Sequence, residues 1–590
     1  MDGLRRLEYR GYDSIGVAVW RSGKVLVEKD AVRIEPFVER LDFAALRGPC
    51  VIGHTRWATH GAPTQFNAHP HTDCTGRIAV VHNGIIENHS ALRKRLLAAG
   101  HTLRSDTDTE LIAHLIEEFY EGDLLAALRS AAALLAGSYA VCALCADSPR
   151  IALARMASPL VIGVGDDALF AASDPLALLS RTGRFVFLEE GDFALLQPDS
   201  FEVTDADGEP LPREVRSVRW SAQEAEKEGY PHFMLKEIWE QPRALQQTVA
   251  SLIDGADLSF RQAGAIDALC EGVRRVALVA CGTAFHACLV ASYALRDYVG
   301  VDHWLDVGSE FRYAQPPLDE ETLLVAVSQS GETADTLAPV RAAKERGARI
   351  LAVCNVPTSS LVREADATLL TLAGPEIGVA STKAYTTQLA VLAALVSYLA
   401  ERRGTAEPER IETLRRGLLS AAQRAHGALA AAGATAGRVA EEFHRSQTFL
   451  YLGRRYNLAT AYEGALKLKE ISYIHAEGYG AGEMKHGPIA LVQPDYPTVA
   501  IAPRDTVYDK MLTNIQEVCA RSGPVVAVAT EGDEEIADVA GHVFFVPETE
   551  EVLTPMITVI PLQLLAYETA VMRGCDVDKP RNLAKSVTVE

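Results

Sequence analysis

The chain has 590 residues and a mass of 63.7 kDa. This is longer than a single hydrophobic core can organise, so the length predicts about three to four domains. Asp and Glu (78) outnumber Lys and Arg (57), and the net charge of −21 argues against nucleic acid or an anionic membrane surface as the main partner. A hydrophobic content of 48% and a mean hydropathy of +0.04 are typical of a soluble globular protein. With no signal peptide or membrane-spanning run in the sequence, we expect a cytoplasmic protein.

Residues 1–215 alternate short β-type runs, at 15–20, 24–28, 50–54, 77–82 and 139–144, with helices between 88 and 136. This pattern predicts an α+β domain with antiparallel sheets. Residues 216–240 are charged and lack a sustained apolar period, and we interpret them as a linker.

From residue 241 the pattern changes to alternating strands and helices. Strands are predicted at 276–280, 323–327 and 350–353, with helices near 285–299 and 332–346. The pattern recurs with strands at 448–453, 498–502, 525–529 and 542–546 and a helix near 457–472. This recurring pattern predicts two tandem doubly wound parallel-sheet domains, over residues 241–435 and 436–578. A polar tail at 579–590 comes after them.

A polar loop follows one of the buried strands. Residues 326–336 read AVSQSGETADT and lead into a predicted helix. The hydroxyl groups of Ser328, Ser330 and Thr333 and the free N–H groups of the helix start then point at one place, which favours an anion. The loop lacks Lys and the spacing of a nucleotide P-loop, so it indicates a sugar phosphate rather than ATP. An ordinary Ser-rich helix cap is the alternative.

The ten cysteines are scattered, and we expect reduced thiols. Cys142 and Cys145 form one C-x-x-C pair inside an apolar run, and no second pair completes a zinc set. Six histidines lie between residues 54 and 89, of which His71 comes closest, with Cys74, to the spacing of metal ligands. Since no clear second pair accompanies them either, we expect no metal and no cofactor.

Eight stretches of the chain, in one order, support a resemblance to a known family. They are 3–14 (GLRRLEYRGYDS), 54–61 (HTRWATHG), 81–88 (VHNGIIEN), 107–110 (TDTE), 328–333, 376–383 (EIGVASTK), 463–487 and 579–590 (KPRNLAKSVTVE). Over nearly its whole length the chain resembles the isomerising glutamine:fructose-6-phosphate aminotransferases, also called glucosamine-6-phosphate synthases.

The resemblance implies an α/β protein with an N-terminal α+β glutaminase-type sandwich domain of the N-terminal nucleophile kind. Two tandem doubly wound parallel-sheet sugar isomerase (SIS) domains follow it. The implied enzyme transfers ammonia from glutamine, through an internal channel, to fructose 6-phosphate and isomerises the product to glucosamine 6-phosphate, the first step of the amino-sugar pathway.

The start of the chain departs from the family pattern. Family members begin with a Cys whose thiol attacks glutamine and whose α-amine, with a pKa near neutrality, is the base. Here the match begins at Gly3 and the first cysteine is Cys50. Either the true start lies upstream or glutaminase chemistry is lost, and the otherwise intact glutamine pocket favours an upstream start.

By the resemblance, Arg56 pairs with the glutamine carboxylate and Asp108 with its α-ammonium group. Asn83 and the N–H of Gly84 form the oxyanion hole, although a plain turn after a strand is the alternative for this pair. The other implied pocket residues are Trp57, Thr59 and His60.

By the resemblance, Lys585 is the Schiff-base lysine, Glu470 moves a proton between C1 and C2, and His486 opens the sugar ring from the neighbouring subunit. Lys467, one turn before Glu470, belongs to the same implied catalytic set. The alternative for Lys467, Lys469 and Glu470 is a solvated helix face with i,i+3 pairing. The residues implied to contact the sugar phosphate are Thr283, Ser328, Gln329, Ser330, Thr333, Val379, Ser381 and Ala584.

Because His486 serves a neighbouring site, the resemblance implies at least a homodimer, with glutamine and fructose 6-phosphate as small-molecule partners. Two other functions remain open. One is an ammonia-dependent amino-sugar phosphate isomerase or deaminase with an inactive glutaminase domain. The other is a non-catalytic sugar-phosphate-binding regulator, which the absence of a basic DNA-binding segment disfavours.

Overall fold

The computed structural model describes residues 1–8, 11–58, 60–217, 226–314 and 316–587. The chain divides into two compact units. The first contains Met1–Ala225 together with the C-terminal residues Ala584–Glu590, and the second contains Glu226–Leu583.

The first unit combines antiparallel strands with a few helices. Its strands are β1 Ser14–Arg21, β2 Lys24–Asp30, β3 Cys50–Arg56, β4 His71–Thr72, β5 Ile78–Ile86, β6 Gly137–Cys145, β7 Ser148–Met156, β8 Val161–Val164, β9 Leu169–Ala172, β10 Arg184–Phe187, β11 Phe193–Leu196, β12 Phe201–Thr204 and β13 Arg216–Ser217. Its helices are α1 Asp2–Leu7, α2 Ile34–Arg40, α3 His89–Ala98, α4 Thr109–Phe119 and α5 Leu124–Ala132.

A central antiparallel sheet, β12-β11-β7-β6-β5-β4, is packed on both faces. On one face, Leu111 and Leu115 of α4 are buried against it, as their spacing of four residues predicts. On the other face, Leu153 of β7 packs with Ile162 of β8 and Val186 of β10 from the sheet β13-β10-β8-β9. The sandwich confirms the predicted α+β domain.

The second unit alternates strands with helices. Its strands are β14 Arg275–Ala280, β15 Asp302–Val307, β16 Thr322–Ser328, β17 Arg349–Cys354, β18 Ala367–Leu370, β19 Thr448–Gly453, β20 His475–Gly480, β21 Thr498–Ala502, β22 Val525–Thr530 and β23 His542–Val546. Its helices are α6 Phe233–Trp239, α7 Gln241–Leu252, α8 Ala263–Cys270, α9 Gly282–Ala294, α10 Gly308–Ala314, α11 Ala334–Glu345, α12 Ser360–Glu364, α13 Lys383–Arg403, α14 Pro408–Phe443, α15 Tyr456–Ser472, α16 Tyr508–Cys519, α17 Glu534–Val539 and α18 Thr554–Met572.

Two parallel sheets, β15-β14-β16-β17-β18 and β20-β19-β21-β22-β23, organise this unit. Their inner strands are buried on both faces, which explains why they read as continuous apolar runs in the sequence. The predicted tandem doubly wound sheets are confirmed. The segment Glu551–Met572 is long and apolar enough to cross a membrane, but 83% of its apolar window is buried inside the protein. A core helix of this kind is weak evidence for a membrane span.

Two stretches differ from the sequence-based expectation. The range 216–240, predicted as a linker, contains helix α6, whose Met234 and Ile238 are buried one turn apart. A helix of only seven residues, five of them apolar, is too short to show a helical period that can be recognised in the sequence. The helix predicted over 285–299 begins earlier, at Gly282, and its last turn, Leu295–Val299, is a π-helix.

Candidate active sites

A cavity of about 770 Å³ lies in the first unit. Five residues of the predicted glutamine pocket line it, and they come from β3, the segment after it, β5 and the residue before α4. They are Arg56, Trp57, Asn83, Gly84 and Asp108.

Arg56 and Asp108 bring opposite charges to this cavity. Nη2 of Arg56 donates to the carbonyl oxygens of Gly61, at 3.1 Å, and His60, while the buried Nη1 has no partner among the described residues. Burial lowers the pKa of Arg56, and the carboxylates of Asp13 and Asp108 oppose that shift. An unpaired guanidinium nitrogen and a buried carboxylate in one cavity suit a zwitterion.

Asn83 and Gly84 lie inside β5, where they pair with β6, so the alternative of a plain turn is wrong. Oδ1 of Asn83 lies 2.8 Å from Nε2 of His54, which leaves the amide NH₂ group as a donor for another acceptor. Gly84 has a φ of +136°, and a Cβ atom there would overlap the carbonyl oxygen of Ser138. Only glycine suits this position.

Three histidines also line the cavity: His69 and His82 are buried, and His54 is half-buried. The rings of His54 and His69 stack with centroids 4.2 Å apart, and Nδ1 of His82 lies 2.9 Å from Oγ1 of Thr109. Burial lowers the pKa of His54 to about 4 and lowers the pKa of His69 and His82 as well. These neutral rings support the strand that carries Asn83.

His60 and Thr59 complete the predicted set. The ring of His60 contacts that of His89 edge-on, with centroids 4.9 Å apart, and it is not among the residues that line the cavity. Thr59 lies outside the described residues.

Cys142 is the cysteine that lines the cavity among the described residues. Its thiol lies on β6, and burial raises its pKa to about 12. A nucleophilic cysteine needs a thiolate, which a nearby cation or a helix start normally stabilises. Cys142 is therefore a half-buried, neutral thiol at physiological pH.

The last part of the C-terminal tail, Ala584–Glu590, belongs to the first unit by its contacts, while residues 579–583 belong to the second. Ala584 and Lys585 are half-buried, and Ser586 lines the same cavity as Asn83. The structure thus groups Lys585, predicted as the Schiff-base lysine, with the residues of the glutamine pocket.

In the second unit, the predicted anion loop follows β16. Oγ of Ser328 accepts a hydrogen bond from the N–H of Gly331 at 3.0 Å, and Oγ of Ser330 accepts one from the N–H of Glu332 at 3.2 Å. Gly331 has a φ of +65°, which favours glycine. Thr333 immediately precedes α11, so the polar loop leads directly into the start of that helix. Gln329 lies between the two serines, and its carbonyl oxygen accepts from the N–H of Asn355 at 3.3 Å.

Thr283, in the first turn of α9, joins a buried charge cluster on α15. Its Oγ1 donates to Oε1 of Glu463 at 3.1 Å and accepts from Nζ of Lys467 at 3.1 Å. Nζ of Lys467 also lies 2.6 Å from Oε2 of Glu470 and 3.4 Å from Oε1 of Glu463. Lys467 and Glu463 are fully buried, so the interpretation as a solvated helix face is wrong for Lys467, although Lys469 is exposed as that interpretation predicts.

Glu463 and His286 are members of this cluster that sequence reasoning missed. Nδ1 of His286 lies 2.7 Å from Oε2 of Glu463. Burial lowers the pKa of Lys467, but Glu463 and Glu470 raise it more, so the net shift is upward. The signal in the sequence is the i, i+4, i+7 spacing of Glu463, Lys467 and Glu470, which puts three charges on one helix face.

The remaining predicted sugar-site residues lie in other loops. The N–H of Val379 donates to the carbonyl oxygen of Asp578 at 3.1 Å, and Oγ of Ser381 donates to Oε2 of Glu376 at 3.0 Å. His486 is exposed at the end of the short helix Glu483–His486.

Comparisons with known families agree with this division of the chain. A model described as glutamine amidotransferase domain matches residues 54–180. A model described as SIS domain matches twice, over residues 271–398 and 442–573.

Curated relatives match the chain along its whole length. Glutamine–fructose-6-phosphate aminotransferase (isomerizing) of Thermus thermophilus is 50% identical over 590 residues, covering 100% of this chain and 97% of the relative. The protein of the same name from Symbiobacterium thermophilum is 49% identical over 593 residues, with the same coverage. Among solved structures, the C-terminal domain of glucosamine-fructose-6-phosphate aminotransferase from Francisella tularensis is 40% identical, with a TM-score of 0.58, and covers 60% of this chain and 99% of its own.

Proposed function

The chain belongs to the family of isomerizing glutamine–fructose-6-phosphate aminotransferases, and we propose that it makes glucosamine 6-phosphate from fructose 6-phosphate with nitrogen from glutamine. The observation that carries the proposal is the match to relatives of that name along the entire chain. The product is the starting material of amino-sugar synthesis, so we place the enzyme at the first step of that pathway.

In the glutamine half, Arg56 binds the α-carboxylate and Asp108 the α-ammonium group. Nη1 of Arg56, which has no partner in the described part of the chain, supports this role, because a buried donor without a partner is costly unless a ligand satisfies it. The amide NH₂ group of Asn83 and the N–H of Gly84 stabilise the negative charge that develops on the amide oxygen. Trp57, Thr59 and His60 surround the substrate.

In the sugar half, the loop after β16 binds the phosphate through Ser328, Gln329, Ser330 and Thr333. Two N–H groups of this loop are already satisfied by Ser328 and Ser330, so the loop is held in shape before the substrate arrives. The sugar contacts are assigned to Val379, Ser381 and Ala584, and Thr283 assists from the start of α9.

Glu470 acts as the base that moves a proton between C1 and C2 of the open-chain sugar. The ion pair with Lys467, with Nζ 2.6 Å from Oε2, fixes the position of the Glu470 carboxylate. Lys585 forms the Schiff base with the C2 carbonyl, and His486 of the neighbouring subunit opens the sugar ring.

The proposal is tested by supplying ¹⁵N-ammonium and fructose 6-phosphate and following labelled glucosamine 6-phosphate by mass spectrometry. Lys585→Arg keeps the charge but cannot form a Schiff base, so we expect no labelled product and unchanged binding of fructose 6-phosphate. Lys579→Arg, in the same tail, is the matched control and keeps full activity. Product formation by Lys585→Arg at the wild-type rate contradicts the assignment.

We propose that the enzyme is a cytoplasmic homodimer. The exposed position of His486 supports a dimer. A ring-opening histidine on the surface can act on the sugar only if the sugar site of a second subunit packs against it. Sedimentation at concentrations that give full activity tests this point, and a monomer under those conditions contradicts it.

A further inference from the structure

Four side chains with metal-binding atoms converge in the first unit, away from the cavity. Cys74, His101, His114 and Glu117 each present one ligand atom, and the four atoms all lie within 4.8 Å of one another. We propose that these side chains bind one zinc ion, which joins three separate segments of the glutaminase unit.

The four residues come from different parts of the chain. Cys74 lies in the turn between β4 and β5, and His101 follows α3. His114 and Glu117 lie three residues apart on α4 and therefore share one helix face. This spread explains why the sequence gives no compact ligand motif.

The distances between the ligand atoms match a tetrahedral zinc site. Sγ of Cys74 lies 3.4 Å from Nδ1 of His101 and 3.4 Å from Nδ1 of His114. The two Nδ1 atoms are 3.2 Å apart, and they lie 3.2 Å and 3.3 Å from Oε2 of Glu117. Zinc bonds of about 2.3 Å to sulfur and about 2.0–2.2 Å to nitrogen and oxygen put neighbouring tetrahedral ligands about 3.3–3.6 Å apart.

Hydrogen bonds alone do not explain this convergence. A ring nitrogen of a neutral imidazole either donates one hydrogen bond or accepts one. Each Nδ1 atom here meets the other Nδ1, a thiol sulfur and a carboxylate oxygen at the same point. A cation at that point accepts lone pairs from all four groups at once.

The outer nitrogens of both imidazoles also face carboxylates. Nε2 of His101 lies 3.5 Å from Oε1 of Glu118, and Nε2 of His114 lies 3.8 Å from Oε1 of Glu110. A carboxylate behind a histidine ligand orients the ring and increases its basicity, and this arrangement is typical of zinc sites. Glu110 is itself held by the N–H groups of Arg104 and Ser105, each at 2.7 Å.

The chemistry of the ligands selects the ion and its role. A thiolate, two imidazoles and one carboxylate suit zinc rather than magnesium or calcium, which prefer oxygen ligands only. Four protein ligands leave no open position for substrate, so the role is structural. The ion ties the β4–β5 turn to the segment before α4, and that segment ends at the glutamine-pocket residue Asp108.

The full-length protein is treated with EDTA, dialysed and titrated with zinc and, separately, with cobalt(II). We expect one tightly bound zinc per chain, and a cobalt spectrum with a thiolate charge-transfer band and the d–d bands of tetrahedral coordination. Cys74→Ser and His101→Gln each weaken zinc binding more than about 100-fold, and Glu118→Gln weakens it about 10- to 100-fold. Cys50→Ser, a half-buried cysteine elsewhere in the unit, leaves binding unchanged.

Cys74 is exposed and His101 lies near the surface, so these variants keep the fold, which circular dichroism verifies. EDTA should lower the melting temperature of the wild type but not that of Cys74→Ser. The proposal is overturned if a folded wild-type protein binds no zinc, if Cys74→Ser and His101→Gln bind it as tightly as the wild type, or if the cobalt spectrum lacks the thiolate band.

Discussion

Nζ of Lys467 lies 2.6 Å from Oε2 of Glu470, one helical turn further along α15. Because neighbouring carboxylates raise the pKa of Lys467 despite its burial, this lysine stays charged at physiological pH. A Schiff-base lysine must lose its proton before it attacks a carbonyl carbon. Lys467 is therefore suited to holding a carboxylate and not to covalent chemistry, which favours Lys585 for the covalent role.

Replacing the carboxylate tests its function directly. We expect Glu470→Gln to lower kcat for glucosamine 6-phosphate formation by about 100- to 10,000-fold, the usual contribution of a general base. KM for fructose 6-phosphate should change little, because the loop after β16 is untouched. The exposed neighbour Lys469→Gln is the control. A KM effect without a kcat effect would assign Glu470 to binding instead.

The loop after β16 gives a second prediction. Ser328→Ala combined with Thr333→Ala removes two hydroxyl donors to a phosphate dianion, and each lost hydrogen bond to a charged group costs about 1.5–3 kcal/mol. We expect KM for fructose 6-phosphate to rise at least about tenfold. Thr413→Ala, which removes an exposed hydroxyl on α14, should leave KM unchanged. An unchanged KM in the double variant would mean that the phosphate binds elsewhere.

The parallel strands were the most predictable part of the fold. The observed bounds Thr448–Gly453, Thr498–Ala502 and His542–Val546 equal those predicted. The first two are inner strands whose burial explains their apolar runs, and the third is a partly buried edge strand with four consecutive apolar residues. The strand predicted at 77–82 is longer in the structure, Ile78–Ile86. Asn83 and Gly84 are residue types of turns, and pairing with β6 overrides that local preference.

The charge cluster on α15 was predicted only in part, for a physical reason. The spacing of Glu463 and Lys467 shows that they share a helix face, but not that the face is buried. Burial depends on α9, whose Thr283 lies 180 residues before Glu463. Tertiary packing of this kind leaves no local signal.

The histidines that line the cavity predict an acid-sensitive first unit. His54, with a pKa lowered to about 4, titrates near 6.5 when unfolded, so below that pH the unfolded chain binds more protons. Stability of the unit therefore falls as the pH falls from about 6.5 through 4, by about 3 kcal/mol from His54 alone.

Amide hydrogen exchange with EDTA present, corrected for intrinsic rates, measures this effect in each unit separately. Peptides from β3 and β5 should lose protection on acidification from about pH 7 to about pH 5, while those from β19 and β21 serve as the comparison. Equal protection of β3 and β5 at both pH values would show that the histidines titrate normally.

The last prediction concerns the nucleophile for glutamine. Asn83 and Gly84 stabilise an oxyanion only after a nucleophile attacks the amide, and the half-buried thiol of Cys142, its pKa raised to about 12, supplies no thiolate. A polypeptide of residues 1–590 should therefore make glucosamine 6-phosphate from ammonium, but release no glutamate from glutamine. Glutamine should still bind through Arg56 and Asp108, and calorimetry should show weaker binding in Arg56→Lys, which lacks the planar guanidinium. Glutamate release by this polypeptide at about 1 s⁻¹ or faster would contradict the prediction, and its loss in Cys142→Ser would identify Cys142 as the nucleophile.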